Sequence, residues 1–104
     1  MSVVMIAHTG SMSCFAPALW RTIADRATSR PEGSYTTKLL DEGVPAVARK
    51  VGEEAVELVT AALAERDERV IEEAADLVYH LYVLLASRGV DLAAVEDELG
   101  RRAG

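Results

Sequence analysis

Cysteine, proline, glycine and long apolar runs are all scarce in this chain, and each scarcity closes off a class of protein. Cys14 is the only cysteine, so no intrachain disulfide can form and a reducing compartment is expected. No apolar run approaches the ~18 residues that cross a membrane. Val3–Ala7 is too short for the apolar part of a secretory signal, and no basic segment precedes it. A cytoplasmic location with no membrane partner is the expectation. The three prolines and seven glycines fall mostly near apparent boundaries. What lies between is rich in Glu, Ala, Leu, Val and Arg, a mainly helical composition. Basic residues are also few: 11 against 17 acidic ones, a formal net charge of −6. That argues against a nucleic-acid-binding surface. A modest negative charge keeps a protein soluble. It also fits a protein that meets anionic substrates through bound divalent cations.

The chain has 104 residues, which predicts one domain with a small core. Residues 1–13 show no sustained period and read as a flexible tail ahead of a domain over 14–104. Phe15, Leu19, Trp20, Ile23 and Ala27 recur at helical spacing, with Pro17 suited to the first turn. Ser29–Ser34 is a breaker segment, and Ser34–Leu40 is assigned no regular element. Val44 opens a long helical pattern to about Arg66, with Pro45 in its first turn. Asp67 is the expected N-cap of a second long helix, Glu68 to Ser87, ended by Gly89. Asp91 caps a last helix from Leu92 to about Arg102. Val3–Ile6 resembles a strand but has no partner strand. The expected fold is all-α: a hairpin of two long helices with shorter flanking helices.

Two acidic clusters interrupt these apolar helical patterns. The first is Glu53-Glu54-Ala55-Val56-Glu57 and the second Glu73-Ala74-Ala75-Asp76. At ~100° per residue, Val44, Val47, Val51, Leu58 and Val59 share one arc of the first long helix. Lys50, Glu53, Glu54, Glu57 and Ala61 share the other side. On the second helix Glu73, Asp76, His80 and Ser87 form a narrow polar stripe. The tight turn near Asp67 makes the two helices antiparallel neighbours. Counting from that turn sets Glu57 level with Asp76, Glu54 near His80, and Glu73 closer to the turn. Facing stripes would bring four carboxylates, Glu54, Glu57, Glu73 and Asp76, to one groove. Like charges so close are unfavourable until a cation intervenes. Carboxylates with little histidine and no cysteine nearby suit hard cations, Mg²⁺ first and Mn²⁺ second. Spacing alone accommodates a plainer account equally well, with Lys50 paired to Glu54 or Glu53 and Arg69 to Glu73 on solvated faces. His80 taken alone reads as a structural histidine.

The apolar arc from Val70 to Leu85 covers about half of its wheel, more than one hairpin neighbour needs. A second copy of the chain is the simplest cover. Two hairpins would then pair into the four-helix-bundle core of a homodimer.

Three strings carry a resemblance: Ser34-Tyr35-Thr36-Thr37-Lys38-Leu39, Lys50-Val51-Gly52-Glu53-Glu54-Ala55-Val56-Glu57, and Glu73-Ala74-Ala75-Asp76-Leu77-Val78-Tyr79-His80-Leu81. In unbroken order over Phe15 to Arg102, the chain resembles the phosphoribosyl-ATP pyrophosphohydrolase family of histidine biosynthesis. The Glu-Glu-x-x-Glu and Glu-x-x-Asp pair marks the wider all-α nucleoside triphosphate pyrophosphohydrolases. The Ser-Tyr-Thr and Asp-Leu-x-Tyr-His-Leu strings mark the histidine branch rather than the house-cleaning branch that acts on non-canonical nucleotides. A non-catalytic helical dimerisation module would not need the facing carboxylates.

The resemblance implies Mg²⁺-dependent hydrolysis of 1-(5-phosphoribosyl)-ATP to 1-(5-phosphoribosyl)-AMP and pyrophosphate. It implies catalytic roles for Glu53, Glu54, Glu57, Glu73 and Asp76, with Glu54, Glu57, Glu73 and Asp76 as metal ligands. Lys38, Lys50 and Tyr35 are the implied substrate contacts, with Arg30 a weaker candidate and Tyr79 and His80 in support. Functional coupling to a phosphoribosyl-AMP cyclohydrolase is a further implication, although no attached cyclohydrolase domain is seen in the sequence.

Overall fold

The computed structural model describes residues 10–104, with side chains from residue 17 onward. Most of the expected tail, and the strand-like Val3–Ile6, lie outside the described residues. Five helices follow in order: α1 Gly10–Ser29, α2 Tyr35–Glu42, α3 Val44–Ala64, α4 Asp67–Arg88 and α5 Leu92–Ala103. Among the described residues there is no strand, and the all-α expectation holds. No single helix is long and apolar enough to cross a membrane.

The boundaries follow local chemistry. Ser34 caps α2, its hydroxyl accepting from the Thr37 backbone N–H at 3.2 Å. That cap makes a helix of the Ser34–Leu40 segment, to which sequence reading gave no element. Gly43 turns the chain from α2 into α3 at φ 95°, where a side chain would be strained. Pro45 sits in the first turn of α3 as expected. Gly89 closes α4 in the left-handed conformation at φ 71°, donating to Ala86 and Leu85 carbonyls. Asp91 caps α5, accepting from Ala93 N–H at 3.0 Å.

Two boundary expectations fail. Asp67 is the first helical residue of α4, and Arg66 holds the cap position without a side-chain bond. An acidic residue inside the first turn still complements the helix dipole there. In addition, α1 begins at Gly10, so Pro17 lies inside the helix and not in its first turn. Pro17 has no N–H to give the carbonyl one turn back, a local weakness that the helix absorbs.

The two long helices pack along each other as an antiparallel hairpin, and α1 and α2 pack across its open end. There lies the core: Ile23 from α1, Leu39 and Leu40 from α2, Val47 from α3, Tyr82 and Val83 from α4, and Leu92 from α5. Trp20 meets Tyr82 edge-on at 5.9 Å between ring centroids. Toward the turn the hairpin stands alone. Its buried line on α3 is Val47, Glu54 and Ala61, along the border between the apolar arc and the acidic stripe. The apolar flank is left uncovered, with Val59 57%, Leu63 82% and Ile71 67% exposed.

Ile23 is 1% exposed at the centre of the core. Ile23→Ala should destabilise the fold by about 2–5 kcal/mol through lost burial and a residual cavity. Urea unfolding followed by circular dichroism measures it, and a loss below 1 kcal/mol at this site would mean that the core is not assembled around α1.

Candidate active site

The acidic residues reach their places through the hairpin's register. Glu54 and Glu57 stand on the α3 face that meets α4, and Glu73 meets them from α4. Glu54 is 5% and Glu73 4% exposed, whereas Glu57 is exposed. One carboxylate oxygen from each of the three lies within 4.8 Å of the others. Asp76 and Glu53 are exposed and stand outside this triplet. Depth counting paired Glu57 with Asp76, but the α4 carboxylate that comes within 4.8 Å of Glu57 is that of Glu73. The turn sits one residue earlier than that count assumed: α3 ends at Ala64 and α4 begins at Asp67, so the turn is centred on Glu65 and Arg66. Asp76 remains one helical turn beyond Glu73 on α4.

Three carboxylates in contact need compensation, and two cations supply part of it. Lys50 Nζ lies 3.3 Å from Glu54 Oε2, and an Arg69 guanidinium nitrogen lies 2.6 Å from Glu73 Oε2. Arg69 also pairs with Glu65 at 3.2 Å and Glu72 at 2.5 Å. Sequence reading gave Arg69 no part in the metal site but paired it with Glu73 and Lys50 with Glu54, and both pairs are present. In both buried glutamates the second oxygen, Oε1, has no hydrogen-bond partner. Leaving a buried polar atom unpaired costs about 1–3 kcal/mol each, more for a charged group. The carboxyl of Glu57 is pushed above its ordinary value. Close approach to the Glu73 carboxyl, with which it can share a proton, is the largest cause, followed by the charges of Glu54 and Glu73. An all-oxygen donor set with unsatisfied buried lone pairs fits a hard divalent cation.

An aromatic clamp joins α2 to this groove. The Tyr35 hydroxyl lies 3.2 Å from His80 Nε2, and His80 Nδ1 lies 2.7 Å from the Asp76 carbonyl. A carbonyl only accepts, so Nδ1 carries the hydrogen. In the neutral ring Nε2 then accepts from Tyr35. Tyr79 stacks on Tyr35 at 6.1 Å and its hydroxyl bonds Thr36 Oγ1. The Tyr35 hydroxyl is pushed up by burial, opposed by the nearby Lys50 charge. Tyr35 and Lys50 are therefore brought together at the site. Lys38, Tyr35 and Arg30 line a separate cavity of about 680 Å³ beside the clamp. Glu53 and Glu57 line a further cavity, of about 570 Å³, with Arg49, Gly52 and Val56.

The family model for phosphoribosyl-ATP pyrophosphohydrolase matches residues 16–103. A phosphoribosyl-ATP pyrophosphatase of Ignicoccus hospitalis is 54% identical over 91 residues, 88% of this chain and 89% of that protein. Its counterpart in Metallosphaera sedula is 60% identical over 80 residues, 77% of this chain and 86% of that protein. That of Sulfurisphaera tokodaii is 55% identical over 84 residues, 81% and 89% of the two chains.

The raised carboxyl of Glu57 has a consequence for stability. The folded state holds that proton more tightly than the unfolded chain does. Its contribution is present at low pH and lost as the pH climbs through the raised value. In the presence of chelator, Glu57→Gln should melt above the wild type at neutral pH. The gap should close as the pH falls through the raised carboxyl range. Calorimetry giving the same gap at every pH would show that Glu57 carries no strained charge.

Proposed function

The chain belongs to the phosphoribosyl-ATP pyrophosphohydrolase family, and from that premise we propose that its acidic groove cleaves 1-(5-phosphoribosyl)-ATP between the α and β phosphates. The products are 1-(5-phosphoribosyl)-AMP and pyrophosphate, the second step of histidine biosynthesis. The observation that carries this is the convergence of Glu54, Glu57 and Glu73 within 4.8 Å around buried, unpartnered oxygens. Glu54, Glu57 and Glu73 would hold a divalent cation, with Asp76 as a further ligand from the next turn of α4. Mg²⁺, or Mn²⁺ in its place, supplies charge neutralisation to the phosphate oxygens and acidifies water when bound.

The chain's own residues do the rest. Lys50 is held at the groove by Glu54, and its ammonium is set to meet phosphate oxygens there. Arg69 holds Glu73 from its other side, fixed by Glu65 and Glu72. His80 and Tyr35 brace the wall of the groove through their shared hydrogen bond. Water attacks the α phosphorus in line as the bond to the α–β bridging oxygen breaks. One of the groove carboxylates takes the proton that water loses. A cytoplasmic location agrees with the single cysteine and the biosynthetic substrate. The product is the substrate of a phosphoribosyl-AMP cyclohydrolase, which makes functional coupling between the two activities part of the same proposal.

A homodimer completes it. Val59, Leu63, Ile71, Val78 and Leu81, all on the two hairpin helices, are exposed, and an exposed apolar face marks a surface for association. A second hairpin laid on that flank makes a four-helix bundle.

Two measurements test these assignments. Chelator should abolish activity and Mg²⁺ restore it, and Glu54→Gln should lower kcat more than about 100-fold, beyond the loss typical of residues that only support a ligand. Phosphorus NMR of products formed in oxygen-18 water should find label in 1-(5-phosphoribosyl)-AMP. Orthophosphate as first product, or label only in pyrophosphate, would reject the cleavage position. For the assembly, light scattering should give a dimer for the wild type and a monomer for Leu81→Asp, which buries a charge in the apolar contact. An active wild-type monomer would defeat it.

A further inference from the structure

We propose that Tyr35 determines specificity by accepting a hydrogen bond from a hydroxyl of the ribose that carries the triphosphate, with His80 as the positioning residue that sets the direction of that bond. This role rests on the function proposed above. Two side chains hold the Tyr35 ring in place. Tyr79 stacks on it with ring planes 21° apart, and His80 meets it edge-on at 6.0 Å between centroids. Tyr79 is held in turn by its hydrogen bond to Thr36 and by the edge of His80, 5.0 Å away. Tyr35 is nonetheless 49% exposed. A ring fixed at the surface meets a ligand at low entropic cost.

Hydrogen-bond polarity decides which ligand atoms Tyr35 can meet. His80 Nδ1 gives its hydrogen to the Asp76 carbonyl, 2.7 Å away. Nε2 of the neutral ring is then a lone pair, and the Tyr35 O–H, at 3.2 Å, donates to it. With its one hydrogen committed, the phenolic oxygen can only accept from a ligand. Ionised phosphate oxygens also only accept, so they are excluded as partners. The oxygen calls for an O–H or N–H donor. Its position narrows the choice. The Lys50 and Glu54 charges act on the Tyr35 hydroxyl, which places it beside the cation set to meet phosphate. Lys50 itself is engaged by Glu54 at 3.3 Å and makes no hydrogen bond to Tyr35 among the described residues. In a nucleotide the sugar hydroxyls lie nearer the α phosphate than the base amine does, because the base is attached beyond the sugar. With the phosphates at Lys50, a hydroxyl of the adjoining ribose is the donor within reach.

The test compares phosphoribosyl-ATP with its 2′-deoxy and 3′-deoxy forms at that ribose, in the wild type and in Tyr35→Phe. The substitution keeps the ring and removes the accepting oxygen. On phosphoribosyl-ATP it should raise KM about tenfold with kcat kept. One of the deoxy substrates should show the same loss in the wild type and no further loss in Tyr35→Phe. The bond to His80 also goes, but it goes for every substrate alike and cancels in that comparison. Nitrogen NMR of histidine-labelled protein, at about pH 8 where a free imidazole is neutral, should find the His80 hydrogen on Nδ1. Tyr35→Phe should shift the Nε2 resonance and leave that hydrogen in place. If the wild type cleaves phosphoribosyl-ATP while Tyr35→Phe keeps its KM, this assignment alone is overturned. The same follows if Tyr35→Phe weakens all three substrates equally, as loss of a contact to metal-bound water would, or if the His80 hydrogen is on Nε2. A wild type inactive on phosphoribosyl-ATP overturns the proposed function and this assignment with it.

Discussion

Two buried glutamates in a helical seam set the terms for the rest of the molecule. Glu54 and Glu73 occupy positions between α3 and α4 where an apolar side chain would pack. An isolated buried carboxylate is strongly unfavourable, and partners on one side only half relieve it. Each is tethered by a cation four residues earlier on its own helix, Lys50 for Glu54 and Arg69 for Glu73. Both tethers engage Oε2 and leave Oε1 unpartnered. The two cations thus hold the groove in shape, at a local cost in stability for the oxygens left unpaired.

That seam is supportable because it lies away from the core. Ile23, Val47 and Val83 are almost fully buried at the open end of the hairpin, where α1 and α2 cover it. The dispersion and burial gained there offset the unfavourable polar seam nearer the turn. The junction between the two regions is the aromatic clamp. Tyr35 and Thr36 on α2 reach Tyr79 and His80 on α4, so the short helix is fixed to the groove by hydrogen bonds and ring contacts together. An element of eight residues would not hold its place by propensity alone.

The rotation of the long helices follows from the same seam. Turning the border of the acidic stripe inward turns the apolar flank of Val59, Leu63 and Ile71 outward. A hairpin that buried its most apolar line would expose the carboxylates fully and lose their mutual approach. The uncovered flank and the converged carboxylates are two results of one rotation, which is why the proposed dimer face and the proposed catalytic groove lie on neighbouring faces of the same pair of helices.

Much was legible in the residues themselves. The hairpin, its apolar period and the end of α4 at Gly89 follow from local rules, because helix periodicity and caps act within a few residues. The acidic motifs and the Ser-Tyr-Thr and Tyr-His strings were enough to point to the family. The cap at Ser34 was also present in the sequence, but a short helix with little apolar period gives a weak signal. Tertiary structure alone decided which carboxylates meet. Helical spacing fixes a residue's angle on its own helix, not the rotation of one helix against another or the turn that sets their register. That register joined Glu57 to Glu73 and left Asp76 exposed. It also decided that Glu54 lies in the seam with one oxygen unpaired, and that Thr37 is buried without a partner while Thr36 is satisfied. Such facts belong to atoms brought together from distant parts of the chain, and no local pattern encodes them.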